Sequence, residues 1–154
     1  DAIPALVSKN HSFVIAIGDN RLREQFYQKL VSLGANFARL IHPDATVSRF
    51  AEVLYGTVVF AGARINASAQ IGQNVIVNTG AIIEHDCRIG SHSHIAPGAV
   101  MTGASEVGEM SLVGTGAVVL PGKVIGHDST IGAGALVNRN VPDEVTAKGI
   151  PVVW

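Results

Sequence analysis

The sequence holds a single cysteine, Cys87, so an intrachain disulfide is excluded. It shows no secretory leader pattern either, and a reducing cytoplasm is the expected setting. Clustered basic charge is missing: eleven Lys and Arg stand against twelve Asp and Glu, for a formal net charge of −1. Nucleic acid, which needs a basic stripe, is therefore not an expected partner. No uninterrupted apolar run nears the roughly 20 residues that span a bilayer. No membrane partner is expected, although the mean hydropathy of +0.34 is high for a soluble chain. Aromatic residues make up only 5%, as fits an interior that is a narrow aliphatic column. The chain does not start with Met, and an upstream segment is expected to precede it.

What is present in quantity is a six-residue step. Ile41, Val47, Val53, Val59, Ile65 and Ile71 begin a series of seventeen positions that runs without a slip to Val137 and holds Ile or Val everywhere except Met101. Four residues after each comes a mostly small one, as in Ala45, Ala51, Thr57 and Ala63, with Lys123 the plain exception. Gly72, Gly90, Gly108, Gly114, Gly126 and Gly132 directly follow the aliphatic residue, where a bend without a Cβ is expected. A period of six fits neither the helical period nor simple alternation, so each hexad supplies one short strand and one turn. Three hexads close a triangular coil, with the aliphatic residue toward the axis and the small residue in the corner. The next coil stacks about 4.8 Å above through parallel backbone hydrogen bonds. The expected class is mainly β, a parallel β-helix of roughly five and a half coils standing about 27 Å tall.

Ahead of the repeat, Asp1 to Asn10 carries no clear pattern. Ser12 to Ile17 is predicted as a buried strand, ended by a turn at Gly18-Asp19-Asn20 that can cap a helix. Arg21 to Leu33 is predicted as an amphipathic helix whose buried face is Leu22, Phe26, Leu30 and Leu33, closed by Gly34. Phe37 to Ile41 is predicted as another strand. Residues 1–41 thus form a partial α/β, Rossmann-like unit, and residues 42–154 the β-helix domain. Arg49 to Gly62 is expected to be the least regular coil. Asn138 to Pro142 is expected to end the solenoid, with Gly149-Ile150-Pro151 in an exit loop.

The sharpest local feature is Asn78 to Cys87, NTGAIIEHDC. Ile83 and Cys87 take its two inward positions, so His85 points out of the solenoid. An outward imidazole flanked by Glu84 and Asp86 is a candidate general base, since a neighbouring carboxylate fixes the ring and favours its protonated form; the alternative is a solvated surface histidine. Cys87 belongs to the core and is not a candidate nucleophile. His42, His92 and His127 are expected to be structural or neutral.

The run NTGAIIEHDCRIG with SHSHIAPGAVMTG, the segments FVIAIGDN and LIHPDA, and GIP near the end together resemble the sialic-acid O-acetyltransferase and UDP-amino-sugar N-acetyltransferase group of hexapeptide acyltransferases. The resemblance runs from about Phe13 to Pro151. It implies a left-handed parallel β-helix and an acetyl-CoA-dependent acetyltransferase in surface-polysaccharide or glycan synthesis, acting on an amino group or hydroxyl of a nucleotide-linked sugar or sialic acid. It also implies His85 as the base with Asp86 raising its basicity, acetyl-CoA contacts at His94, Thr115 and Ala133, and a nucleotide-sugar contact at Gly18. Asn78 joins Gly18 as a substrate-binding candidate, and the Gly103 amide joins the acetyl-CoA side as a candidate oxyanion donor. No metal is expected. Thr115 and Ala133 lie eighteen residues apart, one coil, as do His85 and Gly103. His85 and His94 lie nine apart, half a coil, and would meet only across an interface, as in the homotrimer that the resemblance implies. The family's Gly-rich loop for the sugar nucleotide is absent here, and the ending Pro151-Val152-Val153-Trp154 departs from the family pattern. Two other classes use the same solenoid. A zinc carbonic-anhydrase type needs three converging histidines, and where the third should precede His127 stand Pro121-Gly122. A non-catalytic scaffold or ice-binding solenoid presents flat Thr arrays, which the outward positions here lack.

Overall fold

In the computed structural model, which describes residues 3–154, every hexad from Leu40 to Val137 folds as a two-residue strand and a turn. The second residue of each strand is the aliphatic one. It faces the axis because a two-residue strand sends its side chains to opposite sides, and burial of a branched aliphatic fixes which side is inward. Strands stack in parallel at an offset of one coil, as in Ile82↔Val100 and Ile83↔Met101. They form three ladders: a first face from Leu40–Ile41 to Thr146–Ala147, a second from Thr46–Val47 to Leu136–Val137, and a third from Glu52–Val53 to Val124–Ile125. This is the three-sided parallel solenoid expected of a left-handed β-helix. From Val53 upward the aliphatic column is buried, and the corner residues Ala63, Ala69, Ala81, Cys87, Ala99 and Ala117 are fully so.

The turns depart from expectation in an instructive way. The residue with left-handed φ is the third after the inward aliphatic. On the edge following the first face it is always glycine, at Gly62, Gly80, Gly98, Gly116 and Gly134, while the other two edges mostly place other residues in that conformation: Ser68, Asp86 and Ala104 beside Gly122 on one, and Asn74, His92, Met110 and Asp128 beside Gly56 on the other. The glycines that directly follow the aliphatic residue do not serve a bend. A Cβ on Gly90 would stand 2.5 Å from the Glu109 nitrogen, and one on Gly108 2.5 Å from that of His127; these residues are small because the next coil passes directly over them.

The coil with Tyr55 and Phe60 is as regular as the rest, since buried Thr57 donates to Gly72 O at 2.8 Å and accepts from Val75 N at 3.0 Å. The solenoid also outlasts its expected end. Val141 bridges to Ile125, Thr146–Ala147 adds a rung to the first face, and Val152 caps the column. Leu40–Ile41, expected to close the N-terminal unit, is the lowest rung of the first face, paired with Val58–Val59.

The N-terminal unit differs more from its sequence expectation. Where no pattern is visible, Ile3–Ser8 forms a short helix, α1; Asp1 and Ala2 lie outside the described residues. Only Ser12–Phe13 (β1) of the expected strand is paired, in parallel with Asn36–Phe37 (β2). A helix, α2, spans Asn20–Ser32, and the Asp19 side chain caps it by accepting the Leu22 N–H at 2.8 Å. Its buried residues are Arg23, Tyr27 and Leu30, while Leu22, Phe26 and Leu33 are exposed. The physical reason is its seat. The helix lies along the solenoid edge of Asn74, His92, Met110 and Asp128, and one helical turn of about 5.4 Å nearly matches the coil spacing of about 4.8 Å. Successive turns therefore meet successive coils. Tyr27 Oη donates to Gln73 Oε1 (3.0 Å), Arg23 reaches Asn74 O and His92 O, Asn20 Nδ2 donates to Met110 O (2.9 Å), and Arg21 pairs with Asp128.

Candidate active site

His85 sits in the turn between the second and third faces, immediately before Asp86, whose left-handed backbone (φ 60°) turns its carboxylate back toward the ring. His85 Nδ1 and Asp86 Oδ2 are 2.8 Å apart, and both side chains are well exposed. An Nδ1–H that donates to the carboxylate leaves the Nε2 lone pair able to accept a proton. One coil above, Gly103 provides the room: a Cβ there would lie 2.7 Å from both Cε1 and Nε2 of His85. The Gly103 N–H donates to no acceptor among the described residues. A basic nitrogen and a free amide donor thus stand side by side at one edge.

His94 is elsewhere, on the first face beneath the N-terminal unit. It lines an apolar cavity of about 440 Å³ with Ile15, Ile17, Leu40, Phe60 and Ile76, and with Gly18 and Asn78. Asn78 Nδ2 donates to His94 Nε2 at 3.1 Å. Burial holds the His94 ring below the usual imidazole range; the Arg23 charge adds to this, and the Gly18 backbone carbonyl opposes it. Gly18, Asn78 and His94, assigned by sequence to two different ligands, therefore share one pocket. Thr115 and Ala133 stack as expected, Gly134 N donating to Thr115 O at 2.8 Å, on the edge where Gly98, Gly116 and Gly134 leave the backbone bare. Within one chain His85 is not brought to His94. A second, more polar groove of about 320 Å³ on the third face, lined by Glu52, Gln70, Arg88 and Glu109, contains none of the expected site residues.

The remaining histidines have local roles. His92 is buried, with Nδ1 2.9 Å from Asn74 Nδ2 and its ring edge-on to Tyr27, contacts that tie it to the seam with α2. His127 pairs with Asp143 at 3.1 Å. Burial pushes the Cys87 thiol up, away from thiolate chemistry. The residue that sequence reasoning missed is Arg23. Its signal was the polar stripe Asn20, Arg23 and Tyr27 at helical spacing, outweighed by the leucines on the other side of α2.

Comparison with known proteins bears on the fold and the site together. Residues 68–103 match the family model described as bacterial transferase hexapeptide (six repeats). Perosamine N-acetyltransferase from Caulobacter crescentus, solved as a point mutant in complex with CoA and GDP-perosamine, is 42% identical and superposes with a TM-score of 0.95 over 99% of this chain and 73% of that one. The chain belongs to the hexapeptide-repeat transferases. Another member, the acetyltransferase domain of PglB from Neisseria gonorrhoeae FA1090 in complex with acetyl coenzyme A, is 38% identical over 97% of this chain and 75% of its own, with a TM-score of 0.92. UDP-N-acetylbacillosamine N-acetyltransferase of Bacillus subtilis (strain 168) is 48% identical over 49 residues, 32% of this chain and 23% of that enzyme. The hexapeptide-family match covers the turn that carries His85 and Asp86, the strand that carries His94, and Gly103.

Proposed function

We propose that this hexapeptide-repeat transferase carries acetyl from acetyl-CoA to the amino group of a nucleotide-linked sugar in glycan synthesis. The observation that carries the reading is the His85–Asp86 pair beneath Gly103. In the transfer, the acceptor nitrogen attacks the thioester carbonyl carbon, the C–S bond breaks, and CoA leaves as a thiolate. His85 Nε2 takes the proton that the nitrogen sheds and can return it to the departing sulfur. The free Gly103 N–H is the donor for the transient oxyanion. Transfer is direct, because Cys87 is buried and faces the core. The ligands of the relatives, CoA with GDP-perosamine and acetyl coenzyme A, support the two substrate classes. Residues 1–41 serve the nucleotide sugar through Gly18, with Asn78 beside it, while Thr115 and Ala133 follow the coenzyme's arm.

The working unit is a homotrimer in the cytoplasm. Its support lies in the contrast between two outer faces. Outward, the third face presents Glu52, Gln70, Arg88 and Glu106 before a single Val124, whereas the second, above Thr46 and Arg64, presents Ile82, Val100, Val118 and Leu136. An outward aliphatic ladder of this kind calls for a neighbouring copy, and pairing along it sets His85 of one subunit toward a neighbour's first face. The test is release of free thiol from acetyl-CoA with a panel of nucleotide-linked amino sugars, followed by mass spectrometry of the product. His85→Ala is expected to lower kcat by about 10²–10⁴ with little change in acetyl-CoA affinity. An active His85→Ala protein would remove the base assignment, and no turnover with any amino sugar would remove the substrate class.

A further inference from the structure

We infer that Arg23 is a positioning residue for the His94 cavity, fixing the Gly18 loop against the solenoid strand that carries His94. The inference rests on the reading above that the cavity holds a substrate. Arg23 is the one fully buried cation among the described residues, with 1% of its surface exposed. A buried guanidinium normally lies against a carboxylate; this one lies among carbonyls. Its Nη1 donates to Ile17 O (3.0 Å) and Gly18 O (3.1 Å), and its Nη2 to His92 O (2.7 Å), Ser93 O (3.2 Å) and Asn20 Oδ1 (2.7 Å). Nε donates to Asn74 O at 3.1 Å.

The acceptors fall into two groups. Ile17 and Gly18 form one wall of the cavity; His92 and Ser93 lead directly into His94 on the other. The planar fork spans the gap and sets its width, which a flexible single-point donor cannot do. Gly18 makes the link closest, because its carbonyl accepts from Arg23 and also faces the His94 ring. Burial pulls the Arg23 pKa down to about 10 against the opposing pull of the Asp19 charge, which leaves it charged at neutral pH. A purely structural need for adhesion would be met by an apolar residue in place of a desolvated charge. Holding two carbonyl-lined walls at one spacing needs the fork.

The test compares Arg23→Lys and Arg23→Gln with wild type by circular dichroism, by NMR of the histidine rings in the substrate-free protein, and by kinetics with acetyl-CoA and the amino-sugar nucleotide that wild type turns over. Expected are a native fold, displaced His94 ring signals with His85 signals unchanged, and a KM for one of the two substrates raised by at least about tenfold, with kcat altered far less. Lys should retain more than Gln. Folded variants with wild-type His94 signals and unchanged KM for both substrates would overturn the inference. Loss of the native fold in both variants would make Arg23 a residue of the fold at large, with no particular role at the cavity, and would likewise overturn the inference. The ring signals need no turnover, so failure of the acetyl-transfer reading and failure of this one are separable.

Discussion

Inside the solenoid the large fully buried side chains are aliphatic or Met, among them Ile83, Ile95, Met101 and Val113, whereas at the seam with the N-terminal unit the largest fully buried one is Arg23. The first group gains from water exclusion, which has no direction and tolerates any aliphatic that fills the column. The second depends on hydrogen bonds from Asn20, Arg23 and Tyr27 to coil edges, which are directional and fix one placement of α2. The N-terminal unit has its own core as well, but a small one of Ile15, Tyr27 and Leu30 with Phe13 and Phe37 against it. A stacked column and a docked unit should therefore fail separately.

The largest expected effect tests that separation. Leu30→Ala empties the centre of the small core and should cost about 2–5 kcal/mol, lost from the N-terminal unit alone. Limited proteolysis should then cut within residues 9–38 while the solenoid resists. Cleavage throughout the repeat at the same rate would show that the two parts form one cooperative unit. Next comes the column. Ala117→Leu or Ala99→Leu places a large side chain at a fully buried corner and should cost about 1–3 kcal/mol, with strain passed to both adjacent coils. Thr115→Val, exposed in the turn that leads into Ala117, should leave the melting temperature almost unchanged.

The same contrast explains what was legible beforehand. The six-residue register was visible from Ile41 to Val137 because every coil repeats one packing problem, and outward His85 beside Asp86 followed from counting within that register. The seat of α2 was not visible. Its leucines mark a conventional apolar stripe, yet the helix faces a wall of backbone carbonyls, and Asn20 and Arg23 answer that wall while Leu22 and Phe26 remain exposed. Nor could any spacing within the chain bring Gly18 to His94, since the contact depends on where α2 docks. The glycines were located correctly and explained wrongly: what decides Gly90 and Gly108 is the coil above them.

That correction supplies the next comparison. Gly98 has φ +66° and open space where a Cβ would stand, whereas Gly90 has an ordinary φ and backbone within 2.9 Å of that position. Gly98→Ala should cost about 1 kcal/mol from the left-handed backbone alone. Gly90→Ala should cost more, because the Glu109 backbone cannot withdraw without lifting a coil. Equal melting temperatures for the two variants would mean that coil spacing is softer than the ladder implies.

The smallest expected effect concerns pH and again lies at the seam. Burial lowers the pKa of His92 and of His94 in the folded protein, so both prefer the neutral ring there, while in the unfolded chain they take up protons near the ordinary value of about 6.5. As pH falls through about 6.5 the unfolded state binds more protons than the folded one, and folding is weakened by that difference. The stabilisation is fully present above the unfolded value and is lost as pH falls toward the lowered folded values. The melting temperature should therefore decline from about pH 7 to about pH 5, and the first loss should come from the N-terminal unit, because His92 packs edge-on against Tyr27 of α2. His92→Gln removes one of the two titrating rings and should flatten the decline, even though the variant starts from a lower melting temperature at neutral pH. Parallel slopes for variant and wild type would show that protonation at the seam does not govern the acid limb.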